Sequence, residues 1–279
     1  MKNRIIICSI VIATLSLAAF STMSCKESKT EQHITLEKKD VALNTNALEK
    51  INKRTFPDFI YDIGPRYNTI KKADLDTLKS FSDIIGEEHA NRIVDYKSVS
   101  VIIMKDDKQT EIRETGNSDV FTAAQLKLMQ SLDYSTNLVI WADYQGKNKE
   151  TGALEDTHWT PYLTIVPEKQ AEYVDDQQEL INGDGNTALK EFLKTNSLEA
   201  RTKAKVIAEK LKPAKLYFTV SKMGTIENVR LDRSSNYPIV DEAMIELIKN
   251  TPGQWRPAEN INGEKVDQEL VVSFGLMGC

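Results

Sequence analysis

Apolar and polar residues alternate along two short runs near the end of the chain, Leu216–Val220 and Ile226–Leu231, with a turn holding Gly224 between them. A period of two marks a half-buried strand, and a glycine-bearing turn between two such runs makes a hairpin. The period then changes. Val240, Met244, Leu247 and Ile248 recur at helical spacing. Pro238 suits the first turn of that helix, where a missing N–H is harmless, and Pro252-Gly253 ends it. Alternation returns in Gln268–Phe274. Hairpin, helix and strand build an α+β unit, a ββαβ module whose helix covers one face of a small antiparallel sheet.

Upstream, Phe56–Tyr67 mixes aromatic residues with Pro57, Gly64 and Pro65 and reads as an ordered loop or a short strand. Leu75, Leu78, Phe81 and Ile84-Ile85 give Lys72–Asp95 a helical pattern, divided by Gly86 from a short second helix that includes Ile93. Ser98–Met104 and Thr110–Glu114 read as strands joined by the polar turn Lys105–Lys108. Thr122 and Gln125 stand at capping-box spacing and predict a helix running to Leu132. Leu138–Tyr144 and His158–Val166 read as two further strands. This is a second α+β part, hairpin, helix, hairpin. Ser197–Leu211 reads as a charged helix with Ala204, Ile207, Ala208 and Leu211 on one face.

At the amino terminus, Lys2 and Arg4 precede a mostly apolar run, Ile5–Phe20. The run is shorter than the ~20 residues of a spanning helix. A basic start, a short apolar middle and small residues make a secretory leader over 1–24. Cys25 follows Thr22-Met23-Ser24 and resembles a lipoprotein processing site. Acyl chains such as palmitate on Cys25 would hold the protein to a membrane surface without spanning it. Lys26 stands where an inner-membrane retention signal has Asp, so the resemblance implies the outer membrane, facing the periplasm. An uncleaved inner-membrane anchor and a cleaved soluble protein are the alternatives. Residues 25–50 are polar and read as a tether. The division expected is therefore leader (1–24), tether (25–50), an α+β domain (51–169) and the C-terminal module (170–279).

Composition narrows the function by what it lacks. The formal net charge is −5 and there is no basic run, so no footprint for nucleic acid. Three cysteines make no disulfide framework. Of the three histidines, His33 lies in the tether, His89 lacks the second histidine of a zinc-protease helix, and His158 precedes Trp159 on an expected strand. The stretch beginning Asn182-Gly183-Asp184 fails as a calcium loop because Thr187 and Leu193 stand where Gly and Glu are required. The chain is read as a non-enzyme with no catalytic residue, metal, cofactor or small-molecule substrate.

Four segments of the last quarter, TVSKMGTIENVRLDRSS, YPIVDEAMIELI, QWRPA and NGEKV, stand in that order and at family spacing, and resemble the C-terminal domain of TonB-family proteins. A Gly-rich turn with Ala188-Leu189, Phe192-Leu193 and Asn196 extends the likeness upstream. The resemblance implies a cell-envelope module that binds other envelope proteins, TonB-dependent outer-membrane receptors among them. It adds an extended partner segment to the edge of its last strand. Here that strand is Gln268, Glu269, Leu270, Val271, Val272, Ser273 and Phe274. Two readings stand side by side: an exposed edge that takes a partner, or an interior strand with its edges blocked by the upstream helix. Two other roles are the alternatives: an inner-membrane energy transducer for outer-membrane transport, and a structural or assembly protein of the envelope whose middle domain is the working part. A transducer carries a proline-rich spacer, and this chain has no proline run.

Overall fold

Phe59, Tyr61 and Ile63 alternate with polar or exposed neighbours, and that short pattern forms a strand, β1 (Ile60–Gly64), in the computed structural model, which describes residues 59–174 and 185–276. The leader, the tether, Cys25 and Cys279 lie outside those residues. After β1 the chain enters a six-stranded sheet. Its elements are β2 (Asn68–Lys71), α1 (Ser82–Ile85), α2 (Glu87–Ala90), β3 (Ile93–Lys105), β4 (Lys108–Gly116), α3 (Ala123–Gln130), β5 (Asn137–Lys147), β6 (Leu154–Trp159) and β7 (Tyr162–Val166). The strand order is β2-β7-β5-β3-β4, with β6 also paired to β5, and only β2 and β7 run parallel. Val99, Val101, Ile140 and Ile165 face a core closed by Leu75, Phe81 and Met129.

Local chemistry explains where this half follows the sequence pattern. Asp106 and Asp107 both have positive φ, the backbone of the two-residue turn that matches strand twist. The capping box forms: Thr122 Oγ1 accepts from the Gln125 N–H, and Gln125 Oε1 accepts from the Thr122 N–H. Gln125 is fully buried, and its Nε2 donates to the Val99 carbonyl at 2.8 Å, fastening α3 to β3.

Three expectations for this half fail. The helix over Lys72–Asp95 is only a 3₁₀ turn at Lys72–Asp76 and the two single-turn helices α1 and α2. The Asp83 carboxylate takes the N–H groups of Lys79 and Ser80, and the Phe81 N–H goes to the Asp119 carbonyl, so local and long-range partners outcompete a helix. Ile93 starts a strand rather than lying within a helix. His158–Val166 is two strands, because Pro161 has no N–H for the ladder.

The second half carries β8 (Glu172–Val174), α4 (Gly185–Asn196), α5 (Leu198–Lys203), β9 (Ala214–Val220), β10 (Ile226–Arg233), α6 (Pro238–Lys249), β11 (Gln254–Arg256), β12 (Ala258–Glu259), β13 (Lys265–Val266) and β14 (Gln268–Gly275). Pro238 sits in the first turn of α6, as its fixed φ favours. The buried Asp241 reaches back to accept from the Ser235 N–H at 2.9 Å. The charged helix over Ser197–Leu211 stops early: Lys205 has φ +50°, and a 3₁₀ turn replaces the final stretch. Of the face expected for that helix Leu211 is buried, but Ile207 and Ala208 are exposed, and Val206, outside that face, is buried instead.

The main sheet has four strands in the order β1-β14-β9-β10, all antiparallel. Leu216, Phe218, Val220, Leu270, Val272 and Phe274 point from it into a core shared with Val240, Met244 and Ile248 of α6 and Leu189 and Leu193 of α4. Trp255 joins that core, its ring 5.3 Å from Phe218 and 5.5 Å from Tyr173. The protein is α+β. Among the described residues, no helix is long and apolar enough to cross a membrane and no group of acidic, histidine or cysteine side chains could hold a metal ion.

Candidate protein-binding site

The strand that the sequence singles out, Gln268–Phe274, is an interior strand. β14 pairs with β9 over Gln268–Phe274 and with β1 over Val271–Gly275. The neighbour that covers its second edge is β1, which the chain supplies from more than 200 positions upstream, and not the helix before β9. The register sets Tyr61 opposite Phe274, Asp62 opposite Ser273 and Ile63 opposite Val272. Because strand side chains alternate, Tyr61 and Ile63 fall on the core face with Phe274 and Val272, and Asp62 and Ser273 fall on the other.

β1 is clasped as well as paired. Phe59, just ahead of it, stacks on Phe274 with ring centroids 6.4 Å apart, and the Arg201 guanidinium lies 4.9 Å from the Phe59 ring centroid. The Tyr61 hydroxyl is 2.7 Å from Ser197 Oγ, both buried. Beyond the end of β1, the Glu269 N–H donates to Ser135 Oγ at 2.8 Å, so the next position of the same strand is also engaged by the upstream half. Gln268 is buried, with its side-chain carbonyl accepting from the Ala171 N–H at 2.7 Å. Glu269 pairs with Arg230 across the sheet at 2.7 Å.

The sheet face away from its core is also occupied. Tyr217 and Val271 are buried there. The Arg66 guanidinium stands 4.8 Å and that of Arg230 4.3 Å from the Tyr217 ring centroid. Arg66 Nε donates to Asp107 at 2.7 Å, and Tyr67 donates to the same carboxylate at 2.5 Å. Burial raises the Asp107 carboxyl, but the hydrogen bonds from Tyr67 and Arg66, with the charges of Arg66 and Lys215, outweigh it and hold the group below its ordinary range. The β3–β4 turn is thereby tied to the C-terminal sheet.

Sequence reasoning places Gln268–Phe274 correctly as a strand and assigns Leu270, Val272 and Phe274 to one face. It misses β1, Ser135, Ser197 and Arg201 as neighbours. The alternation of Phe59, Tyr61 and Ile63 is a signal for a strand, but nothing in it names the partner. Cys25 lies outside the described residues.

The family model described as Gram-negative bacterial TonB protein C-terminal matches residues 213–276. Searches of curated proteins and of solved structures returned no match. The matched stretch runs from just before β9 through β14 and leaves out β1, so the strand on the β14 edge comes from outside the family module. TonB C-terminal domains belong to envelope proteins and serve protein interaction and transport rather than chemistry of their own. Residues 213–276, with β9, β10, α6 and β14, are a domain of the TonB C-terminal family.

Proposed function

We propose that this protein is an envelope lipoprotein, held to the outer membrane by acyl chains on Cys25, whose C-terminal module recruits other envelope proteins by strand exchange at Gln268–Phe274. The observation that carries the reading is β1: a five-residue extended segment from outside the family domain already lies on the β14 edge in antiparallel register. The edge is thus competent to receive an added strand, and the chain's own segment holds the place. In this reading, residues 51–169 form the part that carries and withholds β1, and residues 170–279 form the receiving module.

The energetics set the chemistry of the partner. Phe59, Tyr61 and Ile63 are each less than 8% exposed. Burying such side chains contributes about 1.5–3 kcal/mol apiece. A partner that displaces them must refill the same sites, so it carries apolar residues at alternate positions of an extended segment. Outer-membrane receptors with such a segment fit this description.

The test joins β1 to β14. Asp62→Cys and Ser273→Cys, which stand opposite each other away from the core, are cross-linked with a short bifunctional thiol reagent in a chain carrying Cys279→Ser. Envelope proteins that co-purify with the open chain should be lost on cross-linking and enriched by Ile63→Ala, which loosens β1. Retention of the same partners by the locked, folded chain would overturn strand exchange. Acyl labelling of wild type beside Cys25→Ser tests the anchor separately: label lost with the cysteine supports it, and unlabelled wild type rejects it.

A further inference from the structure

A concavity opens on the six-stranded sheet, far in sequence from β14. It is a cleft of about 290 Å³ between α2, the far end of β5 and β6. Its wall carries Arg92, Lys147 and Lys149 against a single carboxylate, Glu155, in a chain whose net charge is −5. Among the described residues, none of the three cations has a carboxylate within ion-pairing distance. Glu155 is held instead by the Asn148 amide, at 3.1 and 3.2 Å.

The backbone at Arg92 is fixed in place. Its carbonyl accepts from the Lys147 N–H at 2.8 Å, which straps the end of α2 to β5. Gly146 permits that closeness: a Cβ there would lie 2.8 Å from the Tyr144 ring and 3.4 Å from the Arg92 carbonyl oxygen. Arg92 Nε is buried and has no acceptor. A buried donor without a partner costs about 1–3 kcal/mol, and such a group in a native fold calls for an explanation. Beside it, Trp159 meets His89 edge to face at 4.3 Å, so an indole lines the same cleft.

We propose that this cleft binds a small molecule carrying an oxyanion, phosphate or carboxylate, on a flat apolar body. The oxyanion lies against Arg92 with Lys147 and Lys149 closing around it, and the flat body packs on Trp159. Charge-assisted hydrogen bonds give the first contact and aromatic packing the second. The site is independent of the β14 edge and of any partner recruited there.

Titrating the full chain with phenyl phosphate and with benzoate, followed by tryptophan fluorescence and calorimetry, tests it. At least one of the two should bind saturably, with phenyl phosphate favoured because three cations face the doubly charged group. Whichever binds identifies the oxyanion. Arg92→Gln should weaken that binding by about ten- to a hundredfold, the loss expected for a charged hydrogen-bond partner. Should Arg92→Gln fail to fold by circular dichroism, the exposed pair Lys147→Gln/Lys149→Gln takes its place, with a loss of at least about threefold. Arg113→Gln, an exposed arginine on β4, should leave affinity unchanged. No saturable binding of either probe to about 10 mM, equal affinity in the cleft variants, or equal weakening by Arg113→Gln would each overturn the proposal.

Discussion

The phenolic oxygen of Tyr61 lies 2.7 Å from Ser197 Oγ, joining β1 to the junction of α4 and α5 across 136 positions of sequence. The pair is buried, so neither group has water as a ready substitute. Tyr61→Phe removes one hydroxyl and keeps the ring. It should cost about 0.5–1.5 kcal/mol in urea unfolding. Ser197→Ala should cost a similar amount alone and much less in the Tyr61→Phe background. Additive losses in that double-mutant cycle would show that the two groups do not act together.

Asp107 predicts an acid limb. Its folded carboxyl sits below the unfolded value of about 3.9. A lowered folded pKa stabilises above the unfolded value, and that contribution disappears as pH falls through the folded one. Asp107→Asn should therefore destabilise at pH 7, and the gap to wild type should close as pH drops below about 4. The check is the urea midpoint of both chains across that range. A gap that stays constant down to the acid limit would uncouple Asp107 from Arg66 and Tyr67.

Two glycines with nearly the same backbone separate conformational cost from crowding. Gly224 has φ +79° and Gly263 φ +75°. Around Gly263 there is open space, so Gly263→Ala pays only the left-handed penalty of about 1–2 kcal/mol. At Gly224 a Cβ would lie 2.5 Å from the Trp255 carbonyl oxygen, a backbone atom that cannot rotate away. Gly224→Ala should be clearly more destabilising than Gly263→Ala in thermal unfolding. Equal shifts would mean that the Trp255 segment gives way freely.

Gln125 makes three bonds from one buried side chain: it accepts from Thr122, and donates to Val99 and, at 3.5 Å, to Glu114. Gln125→Ala removes the capping box and leaves the Val99 carbonyl unpaired. The expected loss is about 2–4 kcal/mol, from a cap and a buried acceptor together. Thr122→Ala, which removes the hydroxyl half of the cap, should cost about 1 kcal/mol. The contrast is measured by chemical denaturation of the two variants side by side.

Much of the fold can be read from local pattern. Alternation marks β9, β10 and β14, Pro238 marks the start of α6, and Thr122 with Gln125 marks α3. These features depend on neighbours within a few positions, which are visible in any window of sequence. The failures have the opposite character. Apolar spacing over Lys72–Asp95 suits a helix, yet Asp83 and Asp119 claim the backbone groups that a helix would use. The run His158–Val166 looks continuous until Pro161 is asked to donate in a ladder.

The candidate site divides in the same way. Periodicity was enough to make Gln268–Phe274 a strand and to turn Leu270, Val272 and Phe274 toward the core, because side-chain direction follows from the extended backbone alone. Which strands flank it was settled only when the core closed. β1 reaches the β14 edge because Phe59, Tyr61 and Ile63 can be buried there beside Phe274 and Val272, and Ser135 arrives from the turn before β5 to take the Glu269 N–H. A strand's hydrogen-bonding edge is nearly the same whatever its side chains. Its neighbour is therefore chosen by packing between distant segments, which no local pattern encodes.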